Sequence, residues 1–460
     1  MPARMTSDQP SPRSAPVAAL PSSDVSVSVG LVGLVTLVAW IMVCRLWPEL
    51  VSMFGLPGPH ERLSGPYAAL VSILFLGLTM SLWSVLVEKV HLRPSTGIDW
   101  QQRRPWAEIR GTAVTKLVGL WGTWAIIAGL YCLGRWYWDG QYLFAMHVLT
   151  GAIGPMVVLS VPYVLWLESR LKNPRDHAWH FGAFLLGQDG WNAEQLRKHC
   201  RSWAIKGFFG AFMISILPPG FANVVNADFG VVLHDPVQLG NSLFELLFVI
   251  DVQIGTVGYL LTFRPLDSHI RSGNPFLAGW VAALLCYPPV VYGFMGNGGI
   301  IQYEVNTPGW GYWLQGQTAL LWIWAGMLVF LTAVYAWATM AYGIRFSNLT
   351  YRGVVTNGPY RFTRHPAYLS KNTFWWLSVL PFLVTSGSMV DMVRNTVFLG
   401  AVSAIYYWRA RTEEAHLLAE DEKYRAYHAW MEDHGPITVA IRRLMGIARR
   451  RPDEAAQPAE

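Results

Sequence analysis

The chain reads as an all-α, polytopic integral membrane protein of about ten transmembrane helices with both termini cytoplasmic. Three observations predict this. Hydrophobic residues make up 53% of the 460 and charged residues only 14%, with 23 Trp and a mean hydropathy of +0.29, a balance that soluble domains of this size rarely show. Apolar stretches recur that are long enough to cross roughly 30 Å of hydrocarbon as helix. Lys and Arg are segregated between alternate loops, as short cytoplasmic loops require.

The first 24 residues, rich in Ser, Pro and Ala, have the composition of a disordered tail. The apolar run that follows is about twenty residues long. It ends in Cys44-Arg45-Leu46-Trp47-Pro48 with no small-residue cleavage pattern, so it reads as an anchor helix and not as a cleaved signal. Crossings are predicted over residues 25–44, 66–87, 112–133, 142–167, 203–225, 242–263, 276–295, 317–343, 367–386 and 394–410. Pro288-Pro289, with Gly293, Gly296, Gly298 and Gly299 beyond, predicts that the seventh is broken.

With the N-terminus inside, the cytoplasmic segments carry Arg4, Arg13, Lys89, Arg93, Arg103, Arg104, Arg110, Arg170, Lys172, Arg175, Arg197, Lys198, Arg201, Arg264, Arg271, Arg345, Arg352, Arg361, Arg364 and Lys371. The opposite side keeps Arg45, Arg62, Arg135 and Arg394. The net charge of +6 follows from this bias and from attraction to anionic headgroups; the bilayer is the expected partner and no nucleic acid is invoked.

No internal repeat stands out, which argues against a transporter of duplicated halves. Residues 25–240 read as an accessory membrane domain of five helices, 241–445 as the working core, and 446–460 as a basic, disordered tail. Cys44, Cys132, Cys200 and Cys286 make no paired spacing, and the His177-Ala178-Trp179-His180 run lacks companion histidines, so no metal is assigned. Glu245, Asp251, Lys116 and Lys206 lie inside spans, where ionisable groups mark a substrate path or a structural pair such as Lys206 with Glu245. The loop 264–271 either lines a cavity entrance or ends two helices with snorkelling cations.

The densest polar segment of an otherwise apolar core is Arg352-Gly353-Val354-Val355 through Gly358-Pro359-Tyr360 to Arg364-His365-Pro366-Ala367-Tyr368, followed some forty residues on by Arg409, Glu413 and Glu414. Pro366 suits the first turn of a helix, so the segment marks re-entry into the membrane. Arg409 and Glu413 are four apart and share a helix face. An arginine can orient a carboxylate through its fork, while aromatic rings and a Glu can meet a cationic sulfonium and amino group. A bland ion pair at Arg409 and Glu413, or a merely interfacial His365, is the competing reading.

This ordered set, followed by Tyr424 and Tyr427, resembles the isoprenylcysteine carboxyl methyltransferase family and, more loosely, bacterial phospholipid methyltransferases, over about residues 345–432. The resemblance implies S-adenosylmethionine as cofactor and a lipophilic methyl acceptor, at a pocket on the cytosolic membrane face. It implies cofactor contact at Gly353, Val354, Val355, Tyr360, His365, Pro366, Ala367, Tyr368 and Glu413, with Arg364 and Glu414 as further contacts, and Arg409 facing a substrate carboxylate. Carboxylate O-methylation leads, with N- or S-methylation next. Membrane sterol reductases, which use NADPH, share a similar Arg-His-Pro-like segment, and a transporter or scaffold with a vestigial pocket is the non-enzymatic reading.

Overall fold

The computed structural model describes residues 19–296, 298–444 and 446. Its helices are α1 Val27–Arg45, α2 Trp47–Phe54, α3 Pro66–Leu86, α4 Trp106–Gly134, α5 Tyr142–Glu168, α6 His177–Leu185, α7 Ala193–Asn226, α8 Phe229–Val232 and α9 Pro236–Leu260. They continue as α10 Leu277–Leu284, α11 Val290–Phe294, α12 Trp310–Trp313, α13 Thr318–Tyr342, α14 Pro366–Val379, α15 Met389–Glu420, α16 Glu422–His434 and α17 Pro436–Leu444.

Among the described residues, seven helices are long and apolar enough to cross a membrane: α1, α3, α4, α5, α7, α9 and α13, the last counted with a short 3-10 extension to Arg345. The other three expected crossings take different forms. Segment 276–295 is split into α10 and α11, because Pro288 and Pro289 carry no N–H to continue the ladder. Segment 367–386 is helical only as far as Val379, where Leu380 turns into the left-handed region at φ 51°, leaving 14 residues or about 21 Å of helix. Segment 394–410 lies inside α15, one 32-residue helix whose charged C-terminal third runs on past the apolar part.

The largest hydrophobic core joins Leu37 and Ile41 of α1, Leu76 and Met80 of α3, Phe209 and Phe221 of α7, Ile254 and Val257 of α9 and Met340 of α13. It therefore bridges residues 25–240 and 241–445. Arg45 stands where α1 meets the end of α7 and donates at 2.8 Å to the carbonyls of Val224, Val225 and Ala227, which the helix leaves without partners.

Of the expected disordered tail over 1–24, residues 1–18 lie outside the described residues, as do 447–460 of the C-terminal tail. Residues 19–24 are not loose. Thr356 Oγ1 donates to Pro21 O at 2.7 Å, and Asp24 exchanges two 2.8 Å hydrogen bonds with Val354, its N–H donating to the carbonyl and its carboxylate accepting from the N–H. Lys423 Nζ closes on the same carboxylate at 2.6 Å. The segment is a strap over the loop after α13, held by partners remote in sequence.

That loop is fixed from below as well. Strand β1, Ser272–Gly273, pairs antiparallel with β2, Thr350–Tyr351, in the register Ser272↔Tyr351 and Gly273↔Thr350. The 264–271 segment supplies buried Asp267, which meets Arg345 at 2.5 Å, Arg271 at 3.4 Å and Arg93 at 3.8 Å.

Candidate functional site

Where α13, α14, α15 and α16 approach the strap, they enclose a cavity of roughly 1260 Å³ including its open mouth. Its rim begins at Arg352. This residue is buried and donates to the carbonyls of Ser268 at 2.7 Å, Gly258 at 2.8 Å, Phe346 at 2.9 Å and Ile344 at 2.9 Å. Burial, with Arg345 nearby, lowers its pKa to about 9. The carbonyl of Arg352 in turn accepts from Arg345 at 3.1 Å. Two arginines thus splint the turn from α13 into the rim. Gly353 then takes φ 114°, where a Cβ would run into the Arg345 and Asp24 side chains, so the position needs glycine. Val354 and Val355 follow, both buried against the cavity.

Tyr360 is buried edge-on to Tyr342, ring centroids 5.2 Å apart, and its carbonyl accepts from the Tyr427 hydroxyl at 2.7 Å. Burial and the neighbouring phenols Tyr342 and Tyr427 push its pKa well above the usual phenol value, so it remains a neutral donor. His365 caps α14 and stacks on Tyr368 at 5.9 Å. Its Nε2 stands 2.9 Å from Glu414 Oε1.

Glu414 is a hub and not a lining group. Arg364 Nε meets it at 2.5 Å, Arg411 closes on its other oxygen, and Arg364 also reaches Glu432 at 2.7 Å. Burial alone would raise its pKa; Arg364, His365 and Arg411 hold it well below the usual carboxylate range. Pro366 likewise sits behind the wall, at the first turn of α14, where its carbonyl accepts from Ser370 Oγ at 2.8 Å.

Glu413 does face the cavity. Tyr368 donates its hydroxyl to Glu413 at 2.6 Å, and Arg409 Nε meets the same carboxylate at 3.1 Å. Arg409 is buried, donates to Asn348 Oδ1 at 2.7 Å, and lies 5.3 Å from the ring centroids of both Tyr287 and Tyr368. Asn348 is itself fixed, its amide donating to Tyr287 Oη and its backbone N–H to Tyr259 Oη, each at 2.8 Å.

Of the residues singled out in the sequence, Gly353, Val354, Val355, Tyr360, Arg364, His365, Ala367, Tyr368, Arg409 and Glu413 line this one cavity, while Pro366 and Glu414 stand directly behind it. The sequence reading missed Tyr287, Tyr335, Thr339, Tyr342, Asn348 and Tyr406, which line it too. Tyr335, Thr339 and Tyr342 were findable, since spacings of four and three put them on one helix face. Of the isolated intramembrane charges, Asp251 stands behind the cavity wall and accepts from Thr339, while Lys206, Glu245 and Lys116 lie elsewhere. Lys206 is not paired with Glu245: its Nζ rests 4.3 Å from the Trp203 ring, and Glu245 accepts from Asn223 at 2.5 Å. Lys116 pairs with Glu168 and, at 3.2 Å, with Asp176.

Residues 321–419, from within α13 to the end of α15, match the model of the isoprenylcysteine carboxyl methyltransferase (ICMT) family. No curated protein and no solved structure matches the chain. The match supports a membrane methyltransferase and takes in the rim loop, α14 and the charged end of α15.

Proposed function

From a methyltransferase-family segment that carries most of the cavity wall, we propose that the protein transfers a methyl group from S-adenosylmethionine to a lipophilic acceptor, carboxylate O-methylation being the leading reaction and N- or S-methylation the next. The observation that carries this reading is the convergence of Tyr360, His365, Tyr368, Arg409 and Glu413 on one cavity at the ends of membrane helices.

The residues fit the cofactor. Glu413 is oriented by Tyr368 and Arg409 yet partly exposed to the cavity, so its remaining lone pairs suit hydroxyl or ammonium donors. The rings of Tyr342, Tyr360 and Tyr368 present faces that attract a sulfonium. When bound, S-adenosylmethionine supplies an electrophilic methyl on a positively charged sulfur. A carboxylate acceptor would take the methyl with its own lone pair while the carbon–sulfur bond breaks and its electrons stay on sulfur as a neutral thioether, so no residue would have to remove a proton. The chain's task is alignment and exclusion of water, because charge is lost along the reaction. The aromatic lining and the rigid rim serve both.

The cytosolic mouth and cytosolic termini belong to the same proposal, supported by the cations of the loops on that side. On it, α10 with α11, α14 and α15 supply the three passages beyond the seven long apolar helices.

Calorimetry on the detergent-solubilised chain tests the reading. S-adenosylhomocysteine is expected to bind and NADPH to stay silent; binding of NADPH alone would reverse the choice towards a reductase. Retained biological activity in both Glu413→Gln and His365→Ala would point to a scaffold instead.

A further inference from the structure

Among the described residues, the charged groups lining the cavity are answered one by one, with one exception. Glu413 has Tyr368 and Arg409, Arg409 has Glu413 and Asn348, and His365 has Glu414. Lys371 has no such partner. It sits on α14 one turn beyond Tyr368 and lines the cavity, partly buried. Its Nζ lies 5.1 Å from the Trp375 ring centroid and 5.5 Å from those of Tyr335 and Tyr406. Among the described residues it makes no hydrogen bond and has no carboxylate within ion-pairing distance. Asp251, the acidic group facing it from α9, is engaged by the Thr339 hydroxyl.

Aromatic faces steady a cation but accept none of the three N–H bonds an ammonium offers. An ammonium withdrawn from water with those donors unfilled is costly, and inside a membrane protein such a group faces a partner or a cavity. Here it faces the cavity, so the missing acceptor is a ligand atom. Arg409 is a poorer candidate for that duty, because Glu413 and Asn348 already occupy its fork. Glu413, which keeps Tyr368 and Arg409, and Lys371, which keeps only ring faces, line the same cavity. Such a site suits a cationic methyl donor together with an anionic acceptor.

We infer that Lys371, in its cage of Tyr335, Trp375 and Tyr406, is the acceptor-selecting residue, holding an acidic oxygen group, carboxylate or phosphate, carried on an apolar chain. This rests on the methyltransferase reading and names the acceptor class for it.

The test compares three probes of equal chain length, hexadecanoate, hexadecyl phosphate and hexadecanol, by calorimetry with the full chain in detergent. At least one anion is expected to bind about tenfold or more tightly than the alcohol, and which of the two does so distinguishes carboxylate from phosphate. Lys371→Met is expected to abolish that preference by weakening the anions alone, with hexadecanol and S-adenosylhomocysteine binding unchanged, and Lys371→Arg to retain it. Equal binding of the alcohol and both anions to the unaltered chain overturns the inference, whether or not the variant folds. So does a preference that survives Lys371→Met. Failure of the unaltered chain to bind S-adenosylhomocysteine strikes the methyltransferase reading instead, so the two failures are told apart.

Discussion

Two groups of buried charges, one between α4, α5, α6 and α7 and the other between α14, α15 and α16, are built from the same residue types to different ends. In the first, Lys116 draws in Glu168 and Asp176, Arg264 reaches Asp176 at 3.5 Å, and His177 Nδ1 stands 3.0 Å from His199 Nδ1, whose Nε2 meets Thr123 Oγ1 at 2.7 Å. None of these residues lines the cavity. In the second, Glu414 is bonded through both oxygens to Arg364, His365 and Arg411, but the network braces a wall whose other face, through Tyr368, Glu413 and Lys371, looks into open space. Charge density alone does not distinguish the two; what does is bonding capacity left over next to a volume a ligand can fill.

The largest effect expected from that contrast is on stability. Lys116→Met strands a buried Glu168 and is predicted to cost about 3–5 kcal/mol, read as a lower Tm in detergent, while S-adenosylhomocysteine affinity of the folded fraction stays unchanged. Adding Glu168→Leu should recover most of the loss, since an apolar pair replaces the ionic one. A fall in cofactor affinity would join the two groups and undo the comparison.

Next is a pH effect behind the cavity. His428 is fully buried, neither ring nitrogen has a hydrogen-bond partner among the described residues, and burial followed by repulsion from Arg364 lowers its pKa to about 4. Between pH 6.5 and about 4 the unfolded chain takes up a proton that the folded chain refuses, so stability falls as pH drops, by about 3 kcal/mol across the window. Glu414 acts in the same direction but in a lower window. Its lowered pKa stabilises the fold above the unfolded value of about 4.3, and that contribution is lost only below it, as pH falls toward the depressed value. Denaturant titrations across the upper window should therefore show a slope that His428→Leu removes.

Glu413→Gln should weaken S-adenosylhomocysteine at least about 100-fold, near 2.7 kcal/mol, with Tm little changed, the reverse of the Lys116 result. The smallest effect concerns the strap. Asp24→Asn loosens Val354 and Lys423 and is predicted to cost about 1 kcal/mol of stability and a severalfold loss of cofactor affinity, measured by thermal unfolding and calorimetry on one preparation.

Much of this was legible in the chain. Expected crossings at 66–87 and 142–167 became Pro66–Leu86 and Tyr142–Glu168, because twenty-odd apolar residues have one way to cross a bilayer and satisfy their backbone. Pro366 as a helix start and the shared face of Arg409 and Glu413 were readable from local rules alone. The reading erred where a local signal met a distant partner. Residues 19–24 look unstructured by composition but are bound by Val354, Thr356 and Lys423. Lys206 and Glu245 look like a pair but turn to Trp203 and Asn223.

The sequence by itself determined that this is a helical membrane protein and where several of its crossings begin, since both follow from composition and helical period, and the ordered motif residues of one polar segment carried the methyltransferase-family resemblance. Only the tertiary structure decided which charges are spent on one another and which remain open: that Glu414 braces while Glu413 faces the cavity, that Arg409 is occupied, and that Lys371 is not. Adjacent residues on a helix point about 100° apart, and what each one meets is set by segments 45 to 61 residues away in sequence.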